Sequence, residues 1–500
     1  MSKKMDVVLI APGDREEIYQ SLGKDHSAIE PPVWTGLLAT FLRNRGFSVN
    51  VIDANAENLK ANDVANRVTD INPYLTALVC YGHQPSASTQ VMPSVGKIAR
   101  AIKEDNISRK IIMVGGHVAA LPEQTLREES VDFVCTGEGP YTLDALLQLL
   151  KNNSADYKKA PGIMYWEDKH IAQTNPAPNV TQLDIEMPGI AWDLLPMNLY
   201  RAHGWHCYAH PDKRQPYASL YTTLGCPFKC TFCCIQSPFK EGEKALGLKP
   251  TLNSYRYWSP ETTIKQLEFL VREYGVYNVK FADEMFVLNK QYVMKLCNLI
   301  IERNLNLNIW AYVRIDTAGD DEQLEMLRKA GFQWLCFGIE SGDSKVRNDV
   351  DKGFAQEKIF SVVERVQKKG IYIIGNYLFG LPEDDLNTMQ KTLTLAMDLN
   401  CEQANFYSAM AYPGSQLYRT AIEKKWPLPK NWSGFSQHSI DSAPLSTNHL
   451  TGAQVLEFRD WAWNTYFTNP YYLAMVEQKF GKETVDKIKQ KTSIKLIRKI

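Results

Sequence analysis

The stretch "LGCPFKCTFCCI", residues 224–235, places four of the ten cysteines of this 500-residue chain within nine positions. It continues from "ASLYTTLG" (residues 218–225), an apolar run that predicts a buried β-strand. Cys226, Cys230 and Cys233 have the spacing C-x3-C-x2-C, and no second pair of cysteines follows. A structural zinc site takes four ligands, usually as two C-x2-C pairs. The spacing therefore favours a 4Fe-4S cluster that leaves one iron without a protein ligand, with zinc or buried structural thiols as the alternative.

The composition is that of an ordinary globular protein. Apolar residues make up 44% of the chain, and 56 basic residues balance 56 acidic ones, so we expect no nucleic-acid partner. No apolar run approaches the roughly 18 to 20 residues of a membrane span. The N-terminus predicts a first strand and lacks the features of a signal peptide. We therefore expect a cytoplasmic protein, in which clustered thiols bind metal rather than form disulfides.

Strands and helices alternate over residues 1–150. Five strands separated by helices predict a parallel sheet covered on both faces, which is a doubly wound, Rossmann-like domain. Ligands bind such sheets at the carboxyl ends of the strands. The predicted strands lie in "DVVLIAP" (6–12), "FSVNVIDA" (47–54), "LTALVCYG" (75–82), "KIIMVGG" (110–116) and "VDFVCTGEG" (131–139).

A second alternating region is predicted over residues 216–425, after a Pro- and Asn-rich linker at 151–215. Six β/α units are too few for a closed eight-fold barrel, so we expect an open partial barrel with its reactive face at the carboxyl ends of the strands. Residues 426–500 are predicted to be a helical C-terminal region. The barrel strands are predicted in "ASLYTTLG", "NVKFADE", "NIWAYVRID", "WLCFGIES", "IYIIGNYLFG" and "QANFYSAMA".

The triad, with the aromatic residue Phe232 before its last cysteine and its place in the first β/α loop of a partial barrel, resembles the radical S-adenosylmethionine (SAM) superfamily. The resemblance implies that the open iron binds the amino and carboxylate groups of SAM. An electron from a donor such as flavodoxin or ferredoxin then cleaves SAM to methionine and a 5′-deoxyadenosyl radical. A fourth thiolate would block SAM, so we interpret Cys234 as a small core residue.

Polar residues also end the later barrel strands, at positions comparable to those of the family. Asp283 and Glu284 are candidates to bind the SAM ammonium group, and Arg314 to bind its carboxylate. Glu340 and Ser341 are candidates for the ribose hydroxyls or the amino group. For each of these, a solvated loop position or a structural ion pair is the alternative.

The N-terminal segments "EPPVWTGLLATFLRNRGFSVNVIDA" (30–54), "VGGHVAALPEQTL" (114–126) and "CTGEGPYTL" (135–143) resemble the cobalamin-binding domain that precedes the barrel in one large class of radical SAM enzymes. In that class the loops after the third, fourth and fifth strands carry the cobalamin. Plain turn glycines and helix caps are the alternative. The residues implied are Ser86, Ser88 and Thr89 in the first of these loops, Gly115 and Gly116 in the second, and Gly137 and Glu138 in the third.

The motif D-x-H-x-x-G, which supplies a lower axial histidine in many cobalamin proteins, is absent after the first strand, because Asp25 and His26 are adjacent. The cobalt is therefore expected to lack a protein ligand on that side. His83 and His117 are the remaining histidines in the candidate loops.

The resemblance implies a cobalamin-dependent radical SAM enzyme that methylates an unreactive carbon or phosphorus centre of a small-molecule or natural-product substrate. An oxidation, cyclisation or rearrangement without methyl transfer is the second hypothesis. A tRNA methylthiotransferase would need a second cysteine triad, but the N-terminal domain has only Cys80 and Cys135. An iron–sulfur or zinc scaffold without enzymatic activity is the remaining alternative.

Overall fold

A computed structural model describes residues 4–13, 15, 18, 20 and 27–499 of the chain. Its first sheet has seven strands in the order β2-β1-β3-β4-β5-β6-β7, and the first five are parallel, as predicted. Every residue of β1 is buried, because helices cover both faces of the sheet. The strands are β1 (Val7–Ala11), β2 (Val49–Asp53), β3 (Leu75–Val79), β4 (Ile111–Val114), β5 (Phe133–Cys135), β6 (Ile163–Glu167) and β7 (His170–Gln173).

Within the described residues from 27 onward, seven helices accompany this sheet. The first begins directly after Pro31 and Pro32, and the chain leaves it through Gly46, whose φ of +83° is the left-handed conformation that favours glycine after a helix. The helices are α1 (Val33–Asn44), α2 (Ala61–Ile71), α3 (Ala87–Gln90), α4 (Met92–Asp105), α5 (Gly116–Ala120), α6 (Pro122–Glu128) and α7 (Pro140–Lys151).

The segment predicted to be a linker is partly structured. Its first part forms β6 and β7, an antiparallel hairpin that extends the first sheet past residue 150. It continues through the short helix α8 (Leu183–Glu186) and several 3-10 turns. In one of these turns, Trp205 enters the barrel and packs edge-on against Trp310 and Trp334, with ring centroids 5.3 and 5.5 Å away. The boundaries at 150, 215 and 425 stay predictions.

The second sheet is the predicted open barrel of six parallel strands, in the order β15-β14-β13-β12-β11-β8. A separate antiparallel hairpin, β9 with β10, follows its first strand. The barrel strands are β8 (Tyr217–Leu220), β11 (Asn278–Phe281), β12 (Asn308–Arg314), β13 (Phe332–Glu340), β14 (Tyr372–Phe379) and β15 (Gln403–Ser408), and the hairpin strands are β9 (Thr223–Gly225) and β10 (Tyr255–Tyr257).

Helices cover the outer face of this half-barrel. Ser259 caps the first long helix by accepting a hydrogen bond from the backbone N–H of Thr262, and Gly275 ends it in the left-handed conformation. The helices of residues 240–423 are α9 (Lys240–Ala245), α10 (Pro260–Tyr274), α11 (Lys290–Glu302), α12 (Asp321–Lys329), α13 (Ser344–Asp349), α14 (Gln356–Lys368), α15 (Leu386–Leu399) and α16 (Gln416–Glu423).

The C-terminal region is helical, as predicted, with α17 (Gly452–Phe467), α18 (Pro470–Phe480) and α19 (Lys482–Thr492). Helix α17 lies along the free edge of β15, where Arg459 donates a hydrogen bond to the carbonyl group of Phe406, and Tyr466 donates one to the carbonyl group of Cys401, just before the strand. An edge strand covered in this way is protected from pairing with another chain. Over the residues that the structure describes, no helix is both long and apolar enough to cross a membrane.

Candidate active site

The cysteine loop starts directly after β9 and is held firmly at both ends. The backbone N–H of Cys226 donates to the side-chain oxygen of Gln236 at 3.1 Å. The side chain of Asn253 donates to the carbonyl groups of Cys226 and Phe228, each at 2.9 Å. Gly225, with φ of +88°, makes the turn into the loop, and a Cβ there would overlap the Ser254 carbonyl oxygen. The protein alone therefore fixes the backbone that presents the thiols.

The three predicted ligands Cys226, Cys230 and Cys233 are free thiols. Burial raises the pKa of Cys226 to about 12 and that of Cys233 well above its usual value. Bound iron would offset the cost of forming the buried thiolates. Within the described ranges, no three His, Cys, Asp or Glu side chains are arranged around one ion. A 4Fe-4S cluster takes each thiolate on a different iron, so its ligands do not meet at a single ion. The donor set fits such a cluster with three protein ligands.

Arg314, at the end of β12, lies beside this loop. One terminal nitrogen is 3.3 Å from the sulfur of Cys230, and the guanidinium stacks 4.0 Å from the ring centre of Phe228. The other two nitrogens of the guanidinium group each donate a hydrogen bond of 2.9 Å to the Asp316 carboxylate. The structure thus places a fixed positive charge against the triad, where sequence analysis predicted a partner for the SAM carboxylate.

Asp283 and Glu284 are adjacent in sequence but have different surroundings. Asp283 is fully buried and accepts three hydrogen bonds, all on one oxygen, from Thr222 and Thr223. Burial raises the pKa of Glu284 to about 7, and its charge lies close enough to raise the thiol pKa of Cys226 further. The structure therefore brings Glu284 to the cysteine loop, whereas Asp283 holds the segment that leads into β9.

Glu340 ends β13 in the left-handed conformation, with φ of +64°. Non-glycine residues in this region are strained and cluster at functional sites. Its buried carboxylate is paired with Lys352, and Gly338 makes room for the pair because a Cβ there would overlap both side chains. Ser341 has a different role, because its hydroxyl accepts the backbone N–H of Asp343 at 3.1 Å within the following turn.

In the first sheet, the loops after β3 and β4 are joined. Ser88 donates to the carbonyl group of Cys80 and accepts the backbone N–H of His117 at 2.8 Å. The hydroxyl of Thr89 lies 3.2 Å from the His117 ring. A Cβ on Gly115 would overlap the Cys80 carbonyl oxygen, so the two loops approach as closely as backbone allows. Ser86, the remaining candidate here, is half-buried at the start of α3.

The loops after β4 and β5 meet the segment directly behind the cysteine triad. The carbonyl group of Gly116 accepts a 2.9 Å hydrogen bond from Ser237, and a Cβ on Gly137 would stand 3.9 Å from the Pro238 carbonyl oxygen. The carboxylate of Glu138 accepts two hydrogen bonds from Arg256 of β10, at 2.9 and 3.1 Å. The carboxyl ends of the first sheet therefore face the cysteine loop.

Sequence analysis missed a pocket of about 110 Å³ at the ends of β1, β2 and β3. The strand order reverses at β1, and such switch points are where doubly wound sheets bind ligands. Trp34 and Tyr81, stacked 4.1 Å apart, form one wall. The strand order would have predicted the position of this pocket, but the strand order cannot be read from the sequence. The polar lining residues include Glu30, Asp53, Asn55, His83 and His203.

A buried charge pair connects this pocket with the barrel. Lys280 of β11 donates to Glu30 at 2.9 Å and to the backbone carbonyl of His83 at 3.1 Å. Burial opposes the ionisation of Glu30, but the ammonium group of Lys280 holds the pKa of that carboxyl well below its usual range. Both partners lie almost completely inside the protein, with side-chain exposures of 2% and 5%.

Asp25 and His26, which stand where the axial-histidine motif is absent, lie outside the described residues. Burial lowers the pKa of His83 to about 4 and that of His117 to about 3, so both rings are neutral at neutral pH. His83 lines the switch-point pocket, whereas His117 packs edge-on against Trp432 with ring centroids 4.5 Å apart.

The first loop of the half-barrel presents three free thiols to the ligand-binding edge of a doubly wound sheet, and this donor set is suited to an iron–sulfur cluster. Comparison with known families agrees. The sequence model of the radical SAM superfamily matches residues 220–396, and that of the B12 binding domain matches residues 25–147. The chain therefore carries a radical SAM domain and a B12-binding domain. This confirms the predicted family and its three cofactors: a 4Fe-4S cluster, SAM and cobalamin.

Individual relatives extend along nearly the whole chain. An uncharacterized methyltransferase of Pyrococcus horikoshii is 27% identical over 94% of both chains. An anaerobic magnesium-protoporphyrin IX monomethyl ester cyclase of Rubrivivax gelatinosus is 24% identical over 84% of this chain and 70% of its own. The structure of OxsB, a cobalamin-dependent SAM radical enzyme, superimposes with a TM-score of 0.70 at 16% identity, over 98% of this chain and 71% of that one. At that identity, the likeness shows the shared fold.

Proposed function

We propose that this enzyme is a cobalamin-dependent radical SAM methyltransferase that methylates an unreactive carbon or phosphorus centre of a small-molecule or natural-product substrate. The observation that carries the proposal is the contact between Gly116, at a strand end of the B12-binding domain, and Ser237, just behind the triad. It brings the two cofactor-binding regions together over one barrel mouth. The relative that is named a methyltransferase and aligns over 94% of both chains supports methyl transfer.

The cluster with SAM supplies a 5′-deoxyadenosyl radical, and cobalamin supplies a transferable methyl group. Cys226, Cys230 and Cys233 would hold the cluster. Glu284 offers an acceptor for the SAM ammonium group from a half-buried position, and Arg314 places positive charge beside Cys230. These side chains orient SAM before its cleavage.

Three further candidates, Glu340, Ser88 and Thr89, are proposed to support the SAM and cobalamin sites. The pair formed by Glu340 and Lys352 holds a strained strand end at the mouth, where it would shape the SAM site. Ser88 and Thr89 bond to neighbouring loops and would fix the backbone on which cobalamin lies.

The barrel floor protects a reactive radical from water. Trp205, Trp310 and Trp334 fill the lower end of the barrel, and the latter two are almost completely buried. An excluded-water site of this kind suppresses side reactions of reactive intermediates. Flavodoxin or ferredoxin is proposed as the reductant. The cytoplasm is the proposed compartment, and the ten cysteines, all free thiols, support it.

The test uses anaerobically reconstituted protein with SAM and a low-potential reductant. Wild-type protein should bind iron, sulfide and cobalamin and should form 5′-deoxyadenosine. Replacing Cys226, Cys230 or Cys233 by Ala should abolish deoxyadenosine formation. Cys234→Ala is the matched control, because this neighbouring buried thiol should be dispensable for the cluster. Loss of the cluster in Cys234→Ala alone, or a zinc-only protein that is indifferent to SAM, would refute the assignment.

The relative that is named a cyclase supports a second candidate, a radical reaction without methyl transfer. The products separate the two. Methyl transfer gives S-adenosylhomocysteine together with deoxyadenosine, and the substrate gains one methylene unit in mass. A cyclisation or oxidation gives deoxyadenosine without S-adenosylhomocysteine.

A further inference from the structure

Two buried ion pairs cross the boundary between the B12-binding domain and the barrel. In each pair the domain supplies the carboxylate and the barrel supplies the cation: Glu30 with Lys280, and Glu138 with Arg256. Lys280 also donates to the carbonyl group of His83, and both Glu30 and His83 line the switch-point pocket. The pair of Glu30 and Lys280 is therefore part of the pocket wall. The pair of Glu138 and Arg256 lies outside that lining.

Arg256 is tied to the cysteine loop through the β9–β10 hairpin. It lies opposite Leu224 in the antiparallel register, and Leu224 is two residues before Cys226. Its guanidinium also donates to the Val180 carbonyl at 2.6 Å and stacks 5.1 Å from the centre of the Phe239 ring. A shift of Arg256 is therefore transmitted along one short strand to the first thiol of the triad.

Glu138 is fixed equally well on the other side. It follows β5, and its side chain is 1% exposed, while that of Arg256 is 11% exposed. Besides the two bonds from Arg256, its carboxylate accepts the backbone N–H of Val180 at 2.9 Å, and its own carbonyl group accepts the hydroxyl of Tyr81 at 2.6 Å. Because two parallel hydrogen bonds join Arg256 and Glu138, they fix the relative orientation of the two side chains as well as their separation.

A contribution to the stability of the fold does not by itself explain why a buried ion pair lies at this boundary. Replacing such a pair by apolar residues of similar volume is often neutral or stabilising, because burying both charges costs about as much as their attraction returns. The surrounding contact already contains an apolar cluster of Trp34, Tyr81 and Phe239. What the ion pair adds is a single orientation of the hairpin against the strand ends.

We propose that Glu138 and Arg256 form a positioning pair that sets the separation and orientation of the cluster loop relative to the cobalamin-binding loops. The inference rests on the proposed function, because a methyl group and a substrate radical must meet within a narrow range of distances. A misplacement of about 1 Å can cost about a hundredfold in rate. The pair governs how often a radical leads to product, and neither residue is assigned to the chemistry itself.

The experiment compares Glu138→Gln and Arg256→Lys with wild-type holoenzyme. Arg45→Lys is the matched control, since Arg45 also bonds two carboxylates, Asp144 and Glu186, neither of which belongs to the barrel. Three quantities are measured: hydrogen exchange at the Val180 amide in the apo-protein, the dipolar distance between the reduced cluster and Co(II) by pulsed EPR, and the ratio of methylated product to deoxyadenosine.

In Arg256→Lys we expect normal iron and cobalamin content and wild-type deoxyadenosine formation, because Arg256 is not among the candidate cofactor ligands. In both variants we expect faster exchange at Val180, a shifted or broadened cluster–cobalt distance, and a product ratio lowered by about tenfold or more. The Arg45→Lys control should match wild type in all three. Should Glu138→Gln fail to fold, Arg256→Lys, which keeps the positive charge, carries the test.

Two results would overturn the proposal: a wild-type distance and product ratio in a variant that binds both cofactors, or loss of either cofactor from both variants. A wild-type enzyme that makes no methylated product would refute the proposed function instead. The cluster–cobalt distance would then still test the pair, because it requires only that both cofactors bind.

Discussion

Replacing Asp53 by Asn should stabilise the protein, although Asp53 makes good hydrogen bonds. The residue ends β2 inside the switch-point pocket and is 1% exposed. Its two oxygens accept the backbone N–H of Ala56 at 2.9 Å and the hydroxyl of Tyr200 at 2.8 Å. An Asn of the same shape keeps both contacts, with its oxygen toward Ala56 and its amide group toward Tyr200. The substitution therefore removes mainly the buried charge.

The size of the effect follows from the pKa. Burial outweighs the hydrogen bonds and raises the pKa of Asp53 from 3.8 to about 6. The folded protein therefore holds the proton more tightly than the unfolded chain does, and ionisation opposes folding as the pH rises. The destabilisation is absent well below pH 3.8 and complete above about pH 6, where it amounts to about 3 kcal/mol. At about pH 5 it is about 1.5 kcal/mol.

Urea denaturation of the apo-protein at about pH 5 and about pH 8 measures this difference. Asp53→Asn should raise the free energy of unfolding at both pH values, and the gain should grow by about 1.5 kcal/mol between them. Asp70→Asn, at an exposed position of α2, is the control and should change little at either pH. The reasoning would be refuted if the stabilisation by Asp53→Asn did not increase between the two pH values. It would also be refuted if the substitution destabilised the protein and did so more strongly at the higher pH.

Three further substitutions test the backbone and the burial of charge. Gly225→Ala should destabilise the apo-protein by roughly 1–2 kcal/mol or more and lower its iron content after reconstitution, because the left-handed backbone disfavours a side chain and the Cβ would overlap the Ser254 carbonyl oxygen; unchanged unfolding and iron content would contradict this. Lys425→Gly, at an exposed residue with φ of +55°, should stabilise by up to ~1 kcal/mol in the same denaturation assay, and a lower midpoint would count against it. Glu402→Ala should destabilise by roughly 1–3 kcal/mol, since the buried backbone N–H of Ile373 loses its acceptor; a free energy of unfolding equal to wild type would speak against a structural role.

Most of the parallel strands could be predicted from the sequence because they are largely buried and rich in apolar residues, as in "IYIIGNYLFG" for β14. The β6–β7 hairpin was not predicted. Its second strand is exposed or half-buried throughout and has no apolar pattern of its own. It becomes a strand only by pairing with β6, a tertiary effect that local composition does not record.

In the candidate site, too, some features follow from local sequence patterns and others depend on tertiary contacts. The positions of the triad and of the polar strand ends follow from local patterns. Whether Asp283 or Glu284 faces the thiols depends on the alternation of side chains along the chain, and a shift of one residue in the strand reverses it. Glu138 was predicted to contact cobalamin, but its partner Arg256 is 118 residues away, and no local pattern indicates that contact.

The tryptophan side chains that fill the lower end of the barrel have a consequence for turnover. Trp205 packs against Trp310 and Trp334, and Phe480 stacks 6.0 Å from Trp334, so aromatic rings occupy the lower end of the barrel. The opposite end, beneath the B12-binding domain, is then the opening through which a molecule that reacts inside should arrive and depart. Spent deoxyadenosine and methionine then obstruct the path of the finished product, so the order in which they leave should determine the pace of the catalytic cycle.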